Sequence, residues 1–152
     1  MNNPVRIAVI GAGAMGRNHI RFVQEEPEAE LVAIADAFEA ARPVAEAAGV
    51  PFYLDNEEMF KEAKPDGVII VTPNHLHLPV ARQALAYGVV PLVEKPISDD
   101  LDDALRFAEE AEKPGFRCSW VSTAATTRRS IRRRRLLLRE FWGRSQFRRS
   151  TT

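Results

Sequence analysis

Gly11-Ala12-Gly13-Ala14-Met15-Gly16 follows directly on the apolar run Val5-Arg6-Ile7-Ala8-Val9-Ile10. A G-x-G-x-x-G that ends a strand and opens a helix is the chemistry of a pyrophosphate cradle. Gly11 permits the tight turn, Gly13 lets backbone approach the phosphates, and Gly16 lets the helix pack closely on the strand. The anion would rest on the helix N-terminus, where free N–H groups and the helix dipole favour negative charge. The acid that completes such a site is Asp36, twenty residues after Gly16, at the end of a second apolar run, Leu31–Ala35. Its carboxylate would accept hydrogen bonds from the adenosine ribose and repel a 2′-phosphate, which points to NAD; Arg42 lies close enough in sequence to leave NADP open.

The elements that must position these residues alternate between strand and helix, the rhythm of a parallel sheet with crossover helices. Strands are expected at Arg6–Ile10 and Leu31–Ala35, with a helix from Ala14 to Glu25 between them. A helix over Glu39–Ala48 keeps Pro43 in its first turn and stops at Gly49. After a short strand at Phe52–Leu54, Asp55 and Glu58 form a capping pair for a helix through Ala63. The turn Lys64-Pro65-Asp66-Gly67 delivers Val68-Ile69-Ile70-Val71, a β-branched run suited to a strand buried on both faces. Thr72-Pro73-Asn74 is then a loop, Pro79 opens a helix to Tyr87, and a strand over Val89–Val93 ends at Glu94-Lys95-Pro96. Ser98 caps a helix over Asp99–Lys113 with Leu101, Leu105 and Ala108 on one face. The sixth strand that the rhythm requires has no usable alternation, so the edge beyond the fifth strand is expected to be left open.

Composition is that of a water-soluble globular chain, 45% hydrophobic and 28% charged. With no N-terminal signal pattern and no apolar run of bilayer-spanning length, the expected location is cytoplasmic, without membrane contact. One cysteine, Cys118, excludes an intrachain disulfide and a cysteine metal cluster. His75 and His77 form an H-x-H without an acidic or cysteine partner nearby, so no metal is expected. His19, in the first helix, reads as a packing or capping histidine.

Three loops lie at the carboxyl ends of strands: 11–16, 72–77 and 94–96. In an open α/β sheet that edge is where ligands bind. The glycine turn, the acid after strand two, Thr72-Pro73-Asn74 with His77, and Glu94-Lys95-Pro96, in that order, resemble the nucleotide-binding domain of the Gfo/Idh/MocA oxidoreductases. That family includes glucose–fructose oxidoreductase and inositol dehydrogenases. The resemblance covers residues 4–113 and implies a Rossmann-type doubly wound α/β domain. It implies cofactor contacts from Gly11, Gly13, Ala14, Met15, Gly16, Asp36, Thr72, Pro73, Asn74, His77, Glu94 and Lys95. It also implies that Lys95 is catalytic, hydrogen-bonding the hydroxyl or carbonyl of a sugar- or polyol-like substrate as hydride passes to or from nicotinamide. An ammonium at the mouth of a partly dry cleft suits that work. Glu94 would orient Lys95, and Pro96 would fix the turn that presents it.

Residues 114–152 break the pattern. Residues 1–114 hold ten basic and twenty acidic side chains, whereas 115–152 hold eleven Arg and one Glu. The run Arg128–Arg135 has the charge of a nucleic-acid or anionic-surface patch. A shift of reading frame after Lys113 accounts for the same residues. In the shifted frame GC-rich codons can restore the missing strand, a His-Arg-Arg-x-Asn-Pro segment and the start of the family's second domain. The family's C-terminal α/β domain, with its substrate contacts and Asp-x-x-x-His pair, has no counterpart here. The expected protein is therefore the NAD-binding part of an oxidoreductase, catalytically incomplete and of undefined oligomeric state. The alternative is a non-catalytic nucleotide-binding module whose basic tail contacts a partner or nucleic acid.

Overall fold

A computed structural model describes residues 4–111 and 119–120; the arginine-rich tail, with the expectations attached to it, lies outside the described residues. Six parallel strands form one sheet: β1 (Val5–Ile10), β2 (Ala29–Ala35), β3 (Phe52–Tyr53), β4 (Gly67–Ile70), β5 (Val90–Val93) and β6 (Ser119–Trp120). Their order is β3-β2-β1-β4-β5-β6. The chain therefore winds outward from β1 in one direction through β3, then returns to the other side of β1 with β4. That reversal leaves a crevice at the carboxyl ends of β1 and β4.

The connections are α1 (Ala14–Gln24), α2 (Arg42–Ala48, preceded by a 3₁₀ turn at Glu39–Ala41), α3 (Asn56–Ala63), α4 (His77–Ala86) and α5 (Leu101–Ala111). Each is punctuated as local chemistry demands. Gly49 ends α2 in the left-handed conformation, and the Asp55 side chain accepts from the Glu58 N–H at the start of α3. Helix α4 begins two residues before Pro79, which falls in its first turn, where a missing N–H costs nothing. All of β4 is buried, and strand alternation splits the core. Ala8, Ile10, Val68 and Ile70 join Met59, Phe60, Leu78 and Phe107 in one cluster. Ile7, Val9, Ile34 and Ile69 are buried on the opposite side of their strands.

Three expectations change. The cap of α5 is Asp100, whose carboxylate accepts from the Asp103 N–H, while Ser98 serves the turn before it by accepting from the Asp100 N–H. The stripe Leu101–Leu105 faces outward, 74% and 55% exposed, and α5 is seated instead through Phe107, which is fully buried. The sheet also continues past Lys113: Ser119 and Trp120 pair with Leu92 and Val93, so β5 is not left wholly open.

Arg82 of α4 holds α5 from the side. Its guanidinium lies 3.0 Å from Asp103 and 3.1 Å from Glu110, and sits over the Phe107 ring at 5.2 Å. Arg82→Met is expected to lower unfolding stability by about 1 kcal/mol at neutral pH, since the group is partly exposed. The hydrogen bond from Arg82 holds the Asp103 carboxyl below the usual aspartate range. That stabilisation is present above the unfolded-state value of about 4 and is lost as pH falls through the lowered folded-state value. Thermal melts at a series of pH values should therefore show the gap between variant and wild type closing in acid.

Candidate functional site

At the end of β1, Gly11 has φ +97°, a conformation that strains any residue with a side chain. The turn is also crowded on two sides. A Cβ on Gly11 would stand 2.5 Å from the Val71 carbonyl oxygen, and one on Gly16 would stand 1.9 Å from the carbonyl oxygen of Gly11. Gly13 differs, because a Cβ there would meet nothing within 4 Å. Gly13 is the N-cap of α1, and no side chain caps that helix end. Its first-turn amides are left for a ligand, and the exposed positions Gly13, Ala14 and Met15 mark the open side of the turn.

Asp36 is tied to this turn directly. One carboxylate oxygen accepts from the Ala12 N–H at 2.8 Å and the other from the Phe38 N–H at 2.9 Å. It is thus not a helix cap but a link between the turn after β1 and the loop after β2. Each oxygen keeps acceptor capacity for a ribose hydroxyl. Arg42 is engaged elsewhere: it pairs with Glu39 through both Nε and Nη2 and lies over the Phe52 ring at 4.9 Å. The hydrogen bond to Arg42 holds the Glu39 carboxyl below its ordinary range.

Across the crevice, Thr72 follows β4, and its Oγ1 is buried with no hydrogen-bond partner, an orphaned polar atom beside the candidate cofactor site. Pro73 and Asn74 are exposed. His77 is 2% exposed, with Nε2 2.8 Å from the Thr72 carbonyl oxygen and Nδ1 2.7 Å from that of Pro96. Both ring nitrogens thereby face the protein's own backbone. His77 braces the 72–77 loop against the 94–96 loop at the sheet edge where the cofactor path is expected.

Lys95 is exposed, at the sheet edge after β5, and the peptide bond to Pro96 is cis. Glu94 beside it is buried. One oxygen of its carboxylate meets His19 Nε2 at 2.5 Å, and the other accepts from the Lys95 backbone N–H at 3.1 Å. Glu94 thus bears on the backbone of Lys95, and among the described contacts it does not touch the ammonium. The pairing with His19 was not legible, because 75 residues separate the partners and neither is charged in a pattern that names the other.

The glycine turn, Asp36, the 72–77 loop and Glu94–Pro96 therefore converge on one edge of the sheet. A surface groove of about 370 Å³ between α1 and α2, which includes Arg21, Pro43 and Val44, contains none of the expected site residues. The uncapped helix end, the open side of Gly13 and the orphaned Thr72 hydroxyl all fit a dinucleotide.

A model of the oxidoreductase family with an NAD-binding Rossmann fold, Gfo/Idh/MocA, matches residues 5–122. The chain belongs to the Gfo/Idh/MocA family. It is 32% identical over 108 residues to the rhizopine catabolism protein MocA of Rhizobium meliloti, covering 71% of this chain and 34% of that protein. To the inositol 2-dehydrogenase of Arthrobacter sp. (strain FB24) it is 34% identical over 121 residues, covering 77% and 36%. Among solved structures, GenD2 from gentamicin A biosynthesis, in complex with NAD, superposes with a TM-score of 0.72 at 27% identity, covering 79% of this chain and 35% of that one. The WlbA dehydrogenase of Bordetella pertussis, in complex with NADH and UDP-GlcNAcA, gives 0.75 at 25% identity over 84% and 40%. The chain spans about a third of the length of the curated relatives it matches. What it shares with them is the NAD-binding Rossmann part of this family, and among the described residues no helix is long and apolar enough to cross a membrane.

Proposed function

We propose that this Gfo/Idh/MocA chain binds NAD across the edge between β1 and β4 and presents Lys95 to a hydroxyl or carbonyl of a sugar- or polyol-like substrate. The observation that carries the reading is the Asp36 carboxylate, anchored on the Ala12 amide of the glycine turn. It sets a ribose acceptor and a pyrophosphate cradle in fixed relation. The α1 amides hold the pyrophosphate, Asp36 holds the adenosine ribose, and Thr72 Oγ1 gains a partner when the cleft is filled. Bound nicotinamide supplies the hydride acceptor or donor. Lys95 holds the substrate oxygen and moves its proton, work that suits an ammonium at a sheet edge.

The relatives' names support the substrate class, since inositol 2-dehydrogenases are among them. These residues form the cofactor wall of a cleft with one proton-handling side chain, and the binding of NAD is the activity they carry by themselves. A cytoplasmic location accords with the use of this cofactor.

Isothermal titration of the folded polypeptide with NAD and with NADP tests the proposal. Heat with NAD, and tighter binding of NAD than NADP, is the expected result; no heat with either from a folded sample overturns it. Lys95→Met should cost less NAD affinity than loss of the Asp36 carboxylate, because the main work proposed for its Nζ is at the substrate oxygen, beside the nicotinamide.

A further inference from the structure

We infer that His19 is a positioning residue for Lys95, acting through Glu94. The inference deepens the site proposed above and rests on that reading for the role of Lys95. His19 lies on α1, the helix whose uncapped N-terminus faces the nucleotide edge, and its ring is buried. It meets Glu94 Oε1 at 2.5 Å, with the two side chains only 5% and 6% exposed. The second oxygen of the same carboxylate accepts the Lys95 backbone N–H. A buried carboxylate is retained only where its oxygens are paired, and here the two partners are an α1 side chain and the backbone of the lysine. With both oxygens engaged, the plane of the Glu94 carboxylate is fixed, and so is the point where the Lys95 N–H must sit.

The other side of Lys95 is held as well. The carbonyl of Pro96, the next residue, lies against His77 Nδ1. Lys95 is thus exposed at its tip and gripped on both flanks of its backbone, by α1 through His19 and Glu94 and by α4 through His77. When His19 cannot hydrogen-bond, Glu94 is left as a buried, half-paired anion; it turns toward water and releases the Lys95 N–H. The lysine keeps its chemistry and loses its address. The helix that receives the pyrophosphate is in this way the same body that sets the lysine.

The test is competitive acylation of the folded polypeptide with limiting acetic anhydride over a pH series, reading Lys95 by peptide mass spectrometry against the exposed Lys64 as internal reference. His19→Phe is expected to change the Lys95-to-Lys64 labelling ratio by at least about threefold, the lower range for one lost hydrogen bond. His19→Gln, which can still donate to Glu94, is expected to restore the wild-type ratio. A merely structural role would lower the melting temperature of both variants without that pattern. Should His19→Phe fail to fold, Glu94→Met decides, since a side chain of similar length without polar oxygens can bond neither His19 nor the Lys95 N–H. An unchanged ratio in a natively folded Glu94→Met, or in a folded His19→Phe, overturns the inference. A parallel NADH fluorescence titration keeps the two proposals apart. Loss of binding by the wild type would sink the cofactor reading, while the labelling ratio, measured without NADH, still decides the role of His19.

Discussion

Gly16→Ala is expected to destroy the nucleotide turn, whereas Gly13→Ala is expected to leave it folded and weaken the ligand. The first substitution places a methyl 1.9 Å from the Gly11 carbonyl oxygen. Backbone on both sides must then move, because no flexible side chain is there to give way. Gly11 itself has little room to retreat, with the Val71 carbonyl filling the space a Cβ would take and its N–H bonded to the Ala35 carbonyl oxygen at 2.8 Å. Overpacking of this kind costs about 1–3 kcal/mol and more where backbone cannot relax, so a fall in melting temperature of several degrees is expected. NAD affinity should be lost with it. At Gly13 the added methyl meets open space in the protein, on the side from which phosphates approach. Its expected signature is a normal melting temperature with NAD affinity down by at least about tenfold. Calorimetry and thermal melts on the two variants separate these outcomes. Unaltered NAD binding by a folded Gly13→Ala would show that the phosphates do not lie there.

Asp36→Ala is expected to remove two things at once. The Ala12 and Phe38 N–H groups lose their acceptor, and the adenosine ribose loses its partner. Hydrogen bonds to a charged group are worth about 1.5–3 kcal/mol, so NAD affinity should fall by roughly 10- to 100-fold. The variant should also lose its preference for NAD over NADP, because the carboxylate that repels a 2′-phosphate is gone. NADP is not expected to gain much in absolute terms. Arg42, the cation nearest in sequence, is already committed to Glu39 and the Phe52 ring. Titrations with both dinucleotides check the ratio, and a retained preference for NAD would place discrimination on another residue.

The parts of the site that were legible in the sequence are those governed by local chemistry. A glycine turn announces itself because only glycine tolerates its φ and its crowding, and Asp36 follows at the spacing of one strand–helix–strand unit. The β4 run was legible because a strand buried on both faces admits little but β-branched residues. Helix α5 shows where such reasoning stops. Leu101-Leu105-Ala108 and Ala104-Phe107-Ala111 both recur at helical spacing, and periodicity cannot say which stripe faces the sheet. Phe107 prevailed because Arg82 and the packed cluster behind it hold that side. The short β6 was missed for a related reason. Two residues carry no alternation, and they pair only because β5 offers an edge.

The amino-acid sequence by itself determined the family and the Rossmann class of the fold, since both announce themselves in residue types within one turn and in the alternation of strand and helix along the chain. The tertiary structure alone decided what the buried polar side chains do. It made His77 a brace between two loops and joined His19 to Glu94 across 75 residues. Polar groups in a core must find partners, and those partners lie wherever the fold brings an acceptor within 3 Å, at sequence separations that no local pattern encodes.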